Sequence, residues 1–343
     1  MTVSAFTFHE ITVTCAQVNQ CSFSSWSPFF ASHITEAEVL KDIPDAFLEY
    51  LNSDSIRLPP PKYENKVSAD SDNEYSDWEE DNLGPESPCA EFAEFDEKVQ
   101  KIVSKFKHVM PKLNWSAPKD ARWILINNSL QCMSNADVYL LLNASDHIAH
   151  DLDGHIYDDC EDKAEGPHLK PELVLKKWTR DFNPALEFRI FVKNKKLLGV
   201  SQRDLNHYQF LLDLHPKLHA LLEKFLDNVI RKSKFPLKNY VMDVYIPAPH
   251  EKVLIVDINP FSRKWDSLLF TWHELLEKEN DGEFELRLIT ETNIGAMARK
   301  EHSENQVPIE VVDALVNTEA MVELAKTWGL KDKHEQDDEE RDF

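Results

Sequence analysis

Glycine is scarce, with seven residues in 343. No G-x-G-x-x-G and no G-x-x-x-x-G-K-[ST] runs through them, which excludes a dinucleotide-binding turn and a P-loop. Also missing are the H-R-D-x-x-x-x-N and D-F-G pair of a protein kinase and the G-x-S-x-G elbow of a hydrolase, and His273-Glu274 lacks the second histidine of a zincin helix. The five cysteines (Cys15, Cys21, Cys89, Cys132, Cys160) are odd in number and form no C-x-x-C. Neither a disulfide framework nor a zinc knuckle is indicated, and a reducing cytoplasm fits. No basic n-region with an apolar run opens the chain, and no apolar stretch approaches membrane-spanning length, so a soluble cytoplasmic protein without membrane contact is expected. Positive charge is in deficit as well: 38 Lys and Arg face 61 Asp and Glu, for a net charge of −23.

That negative charge is uneven. Asp70 to Asp81 carries seven acidic residues and no basic one, and Lys331 to Phe343 seven acidic and three basic; without these runs the remainder still holds −12. An acidic folded part disfavours nucleic acid and favours a basic protein partner or a metal-nucleotide complex. Residues 66–90, rich in Ser, Asp, Glu and Asn with few apolar side chains, are predicted to be a disordered acidic linker. Ser68, Ser71 and Ser76 within it read either as phosphorylation sites or as part of a solvated run. The linker divides an N-terminal segment, 1–65, from a body, 91–330, and residues 331–343 form an acidic tail predicted to be disordered.

In the N-terminal segment, Cys21-Ser-Phe-Ser-Ser-Trp26-Ser-Pro-Phe-Phe30 has little periodicity. Packing on the body is the favoured reading, with a partner-facing patch as the other. Asp42-Ile-Pro-Asp45 precedes a short helix ending near Leu51, and Phe95, Val99, Ile102, Val103 and Phe106 show helical spacing over 91–109. The body opens at Pro111, with Ile124 to Ile126 read as a strand, Ser134 as the N-cap of a helix through Leu142, and residues 150–168 as a mobile loop. Leu173 to Trp178 reads as a strand, and Ala185 to Val192 with Leu197 to Arg203 as a hairpin. An amphipathic helix follows over 212–231. Beyond the second hairpin, described next, come a helix capped at Asp266 or Ser267, a strand over 284–289 and a helix over 308–324.

The second hairpin, Tyr240 to Ile246 with Val253 to Ile258, holds the most suggestive chemistry. In a strand, residues i and i+2 share a face, so Asp257 and Asn259 project together and the partner strand can bring Asp243 beside them. Three converging oxygen donors suit a hard cation such as Mg²⁺, whose octahedron is completed by phosphates and water. Solvated acidic residues are the plainer reading. By the same alternation Glu187 and Arg189 share a face, either as a structural salt bridge or as ligand contacts. Lys112 and Lys119 flank a loop from which they reach phosphates or simply solvent.

Lysines, then Glu187 and Arg189, then Asp243 and Asp257-Ile-Asn259 follow an order that resembles the ATP-grasp superfamily. The stretches Pro111-Lys-Leu-Asn-Trp-Ser-Ala-Pro-Lys-Asp-Ala, Glu172-Leu-Val-Leu-Lys-Lys-Trp, Glu187-Phe-Arg-Ile-Phe-Val, Ser201-Gln-Arg-Asp and Val256-Asp-Ile-Asn-Pro-Phe are similar to those of the cell division cycle protein 123 family, from about Cys21 to Trp272. The resemblance implies an α+β ATP-grasp fold whose two lobes, with mainly antiparallel sheets, hold ATP in a cleft. It also implies ATP and Mg²⁺ as cofactors. Lys112, Lys119 and the backbone of Ala117 would meet phosphates, Lys176, Lys177 and Trp178 would form the adenine hinge, Glu187 would contact the ribose and Arg189 would lie adjacent, with Asp243, Asp257 and Asn259 on magnesium. The implied partner is the gamma subunit of eukaryotic translation initiation factor 2, met by a monomer that promotes assembly of that heterotrimer, supporting translation initiation and cell-cycle progression. One departure bears on catalysis: ATP-grasp ligases cover the phosphates with a glycine-rich loop, whereas residues 152–167 contain only Gly154 and Gly166 among several acidic residues. An assembly chaperone is therefore expected ahead of a ligase that joins a carboxylate to an amine through an acyl phosphate.

Overall fold

A computed structural model describes residues 11–53, 57–59, 88–278 and 283–290. Residues 66–87 of the linker expected over 66–90, the helix at 308–324 and the acidic tail lie outside these residues, whereas the last part of that expected linker is ordered, with Cys89 buried and a 3-10 turn beginning at Ala90. In chain order the elements are α1 (Cys15–Gln20), α2 (Phe23–Trp26), β1 (Ala37–Leu40), α3 (Asp45–Leu51), α4 (Ala93–Phe106), β2 (Val109–Lys112), α5 (Asn135–Asn143), α6 (Asp146–Leu152), β3 (Leu173–Lys177), β4 (Glu187–Lys193), β5 (Lys196–Gln202), α7 (Gln209–Phe225), β6 (Tyr240–Tyr245), β7 (Leu254–Pro260), α8 (Trp272–Glu277) and β8 (Glu285–Arg287), with short 3-10 turns between them.

The strands form two sheets. A three-stranded antiparallel sheet has the order β1-β3-β2, and a five-stranded sheet the order β7-β6-β4-β5-β8, antiparallel except for the parallel β5–β8 pair. Alternation along β3 sends Leu173 and Leu175 into a core with α4 and α5, and Val174 toward the core shared with the larger sheet. α4 buries Phe95, Val99, Val103 and Phe106 at the helical spacing its sequence predicts. It also buries Asp96, which is satisfied by donors from Tyr139 Oη at 2.7 Å, Asn135 Nδ2 at 2.6 Å and Gln100 Nε2 at 2.6 Å. Ser134 caps α5 as expected, in a reciprocal box with Asp137.

The back of the large sheet presents Phe188, Ile190, Val192, Met242 and Val244 to Leu211, Leu218, Leu222 and Phe225 of α7. The front is polar at its centre. At one end of that front, Phe191, Val241, Phe270 and Trp272 close a small apolar cap. The N-terminal aromatics pack inward, as the favoured sequence reading has it: Phe23, Trp26 and Phe30 are all buried. The same segment contributes β1, whose pairing with β3 the sequence pattern does not disclose.

Three local expectations are corrected. Ile124 to Ile126 is no strand; a 3-10 turn over Lys119–Ile124 leads into bends, and the side chain of Ile126 is exposed because no neighbouring strand pairs with it. Residues 150–168 are structured rather than an irregular loop: α6 and a 3-10 turn at His155–Tyr157 lead to a bridge between Cys160 and Val13. The helix expected from Asp266 begins later, at Trp272, because Thr271 and Glu274 form its capping box and Leu268 takes a positive φ of 54°. Gly199 of β5 lies under the Phe270 ring, where an added Cβ would come within 2.4 Å of ring carbon. Gly199→Ala should therefore lower unfolding free energy by about 1–3 kcal/mol in denaturant titration, and an unchanged midpoint would show that the ring moves aside freely.

Candidate functional site

β-pairing lines up one row of side chains across the front of the large sheet. Asp257 of β7 lies opposite Asp243 of β6, Asp243 opposite Arg189 of β4, Arg189 opposite Ser201 of β5, and Ser201 opposite Arg287 of β8. The register shifts at Asp243 and Val244, leaving Val256 as an extra residue in β7. Such bulges re-aim side chains and free a backbone carbonyl.

Asp243 is nearly fully buried. Arg189 donates to it twice, from Nε to Oδ1 at 2.8 Å and from Nη2 to Oδ2 at 3.0 Å, and Nη1 of the same guanidinium donates to the Asp266 carbonyl at 2.8 Å. Arg203 approaches Oδ2 at 3.2 Å as a charge contact and donates from Nη1 to Glu187 at 3.4 Å. Burial by itself would raise the Asp243 carboxyl, but Arg189 and Arg203 outweigh it and hold it well below the usual carboxylate range.

The small sheet supplies lysines. Lys112 ends β2 and Lys176 lies near the end of β3, and both side chains project toward β7. Lys112 Nζ donates to Asp257 Oδ1 at 2.7 Å, and Lys176 Nζ donates to the bulge carbonyl of Val256 at 2.9 Å. Beneath them lies Phe23, its ring centroid 6.0 Å from the Lys112 ammonium and 5.5 Å from that of Lys176, within cation-π range. Burial, reinforced by the neighbouring Lys112 charge, lowers the Lys176 ammonium to about 7. Lys119 is lowered too, by burial and then by Arg203, and among the described residues its ammonium takes part in no ion pair or hydrogen bond.

The cluster thus holds five basic side chains (Lys112, Lys119, Lys176, Arg189, Arg203), of which Lys176 is only partly charged at neutral pH, against three carboxylates (Glu187, Asp243, Asp257), inside a chain of net charge −23. Two oxygen donors also remain open. Asp257 commits Oδ1 to Lys112 and to the Ile258 amide, leaving Oδ2, and the buried Asn259 side chain takes no hydrogen bond among the described residues. Excess positive charge beside spare carboxylate and amide oxygens fits a polyanion carrying a divalent cation.

Of the residues singled out in the sequence, Lys112, Lys119, Lys176, Glu187, Arg189, Asp243 and Asp257 fall into one electrostatic cluster, with Asn259 two positions along β7. Ala117 lies in the loop between Lys112 and Lys119, its carbonyl accepting from the Lys119 amide at 2.7 Å. Lys177 points the other way, to a surface ion pair with Glu36, as strand alternation requires. The Lys177 and Trp178 amides donate to the carbonyls of Glu36 and His108, and Trp178 joins Lys105, Lys107, His108 and Arg180 around an open groove of about 430 Å³.

Two participants escaped the sequence reading: Phe23 carried no signal beyond its aromatic cluster, and Asp151 fell in the supposed loop. Arg203, which the sequence reads as an exposed strand end serving an anion or nothing, is instead largely covered and lies against Glu187 and Asp243. Asp151 accepts from the Ser116 amide at 2.8 Å and from Ser116 Oγ at 2.9 Å, anchoring the loop that carries Ala117 and Lys119. Burial pushes its carboxyl up to about 6, against the opposing effect of the Ser116 bonds. Folding therefore takes up a proton between about 4 and about 6, so this group's contribution to stability is greatest below that window and is lost as pH rises through it. Relative to Asp151→Asn, the parent chain should lose roughly 2 kcal/mol of unfolding free energy across that window, and parallel stability curves for the two would refute the assignment.

Comparison with known proteins places the chain in a family. The D123 family model matches residues 26–315. The chain is 46% identical to cell division cycle protein 123 of Candida glabrata, covering 97% of this chain and 98% of that one. It is 45% identical to the translation initiation factor eIF2 assembly protein of Vanderwaltozyma polyspora, covering 91% and 90%. The solved structure of Cdc123 from Schizosaccharomyces pombe, 35% identical, superposes with a TM-score of 0.67 over 82% of this chain and 100% of that one. With a matching family model over most of its length and close relatives end to end, the chain belongs to the D123 family.

Proposed function

We propose that the chain binds ATP with magnesium in the cleft between its two sheets, in the manner of an ATP-grasp fold, and acts as an assembly chaperone for translation initiation factor eIF2 by gripping its gamma subunit. The observation that carries the nucleotide reading is the uncompensated positive charge of the cleft, above all the unpaired Lys119. Lys112, Lys119 and the Ala117 backbone face the phosphates in this reading, Lys176, Lys177 and Trp178 the adenine, and Glu187 the ribose, with Arg189 holding Asp243. Asp257 and Asn259 offer magnesium their open oxygens. Both Asp243 oxygens sit on guanidinium groups, so magnesium ligation there competes with Arg203. Bound magnesium would neutralise phosphate charge that the surrounding carboxylates otherwise repel.

The names of the relatives support the eIF2 role, and the gamma subunit follows from the family resemblance. Buried cysteines outside any disulfide fit a reducing compartment such as the cytoplasm. Among the described residues no helix is long and apolar enough to cross a membrane. The chain is read as a monomer in this role. The rival ligase reading gains no support from residues 152–167, which carry helical turns and two glycines rather than a glycine-rich cover.

ATP and magnesium together should raise the thermal midpoint of the full chain. Lys119→Met breaks no ion pair, so it should leave the nucleotide-free midpoint unchanged or higher while weakening ATP about tenfold or more in calorimetric titration. Equal ATP affinity in parent and variant would remove Lys119 from the phosphates. Incubation of the full chain with ATP, magnesium and the gamma subunit should leave the subunit's mass unchanged and form little ADP, whereas a stoichiometric mass shift would establish the ligase reading instead.

A further inference from the structure

A second cluster of ligand-type atoms lies apart from the nucleotide cleft. The Sγ atoms of Cys15 and Cys160 and a carboxylate oxygen of Asp162 all lie within 4.8 Å of one another. They come from segments about 145 residues apart in sequence, joined by backbone pairing: Val13 and Cys160 form a parallel bridge, and the Glu161 amide donates to the Val13 carbonyl at 3.0 Å. Asp162 Oδ1 accepts from the Cys15 amide at 2.7 Å, which fixes the carboxylate at the start of α1. Gly166 closes over the other side of Cys15, where an added Cβ would fall 2.6 Å from both Cys15 Cβ and Sγ. Cys15 is fully buried, Cys160 nearly so, and Asp162 is partly open to solvent.

We propose that Cys15, Cys160 and Asp162 form a binding site for a thiophilic divalent cation of the zinc class. Two sulfurs and one carboxylate match the donors zinc takes in tetrahedral sites, with the fourth position on the solvent side beside Asp162. Calcium and magnesium are disfavoured because two of the three donors are sulfur. Loading is balanced as M²⁺ plus two thiols plus one carboxylate giving the bound ion and two released protons. The site ties α1 to the segment between α6 and β3. α1 leads directly into α2 and Phe23, under the cleft lysines, while α6 carries Asp151, which anchors the Lys119 loop. A cation here clasps two supports of the cleft. The inference stands whether or not the cleft binds ATP.

Cadmium is the probe, because thiolate-to-cadmium charge transfer gives an ultraviolet band that surface carboxylates and imidazoles do not. The full chain, purified reduced and free of chelator, should develop that band with a single equivalent of Cd²⁺, release two protons, and unfold at a higher temperature. Cys160→Ser and Cys15→Ser should each abolish the one-equivalent band. Asp162→Asn, which keeps an oxygen for the Cys15 amide, should weaken the cation, and Cys132→Ala, in the other core, should leave the band unchanged. No band from folded parent protein would overturn the proposal, whatever the cysteine variants do. So would a band that survives Cys160→Ser, or a loss of two hydrogens in mass without metal, which marks a disulfide pair.

Discussion

Two lysines bridge the sheets of this protein, and the candidate site depends on how they are held. Lys112 and Lys176 leave the small sheet and end on the bulged edge of β7, one on the Asp257 carboxylate and the other on the Val256 carbonyl, over the Phe23 ring. A buried ammonium is costly unless it is paired or hydrogen-bonded. Each of these has one polar partner and a shared aromatic face, which is enough to keep it in place but leaves Lys176 near neutrality. The bridge connects the two sheets and sets the charge of the space between them.

That charge explains how an acidic chain can attract a polyanion. Surface carboxylates dominate the net charge, but solvent screens them, whereas the cleft groups interact across a less polar medium. Arg189 and Arg203 neutralise Asp243, Lys112 neutralises one side of Asp257, and Lys119 is left over. Asp151 belongs to the same design: a buried carboxylate that lowers stability at neutral pH is retained where it anchors the loop beside the excess cation. Stability is given up at a position where the loop needs a fixed shape.

Much of the site was legible because it rests on local periodicity. Alternation in the 240–260 hairpin places Asp257 and Asn259 on one face, and the observed register sets Asp243 directly opposite Asp257. The same rule puts Glu187 and Arg189 together and separates Lys176 from Lys177. Capping chemistry likewise marks Ser134, whereas Asp266 looked like a cap only because the Thr271–Glu274 box lay further on. Residues 150–168 read as a loop because their order comes from Val13, more than a hundred positions away, rather than from their own pattern.

The sequence by itself determined β3 to β8, the amphipathic helices α4 and α7, the hairpin that carries the oxygen donors and, through family resemblance, the expected ligand, because each depends on residues near one another in the chain. Only the tertiary structure decided that Phe23 lies beneath the lysines, that Asp243 is held between two arginines, that Asp151 anchors the Lys119 loop, and that Cys15 meets Cys160 and Asp162. Those contacts join segments tens to more than a hundred residues apart. Burial and charge acting through space fix them, and neither leaves a period or a motif in the chain.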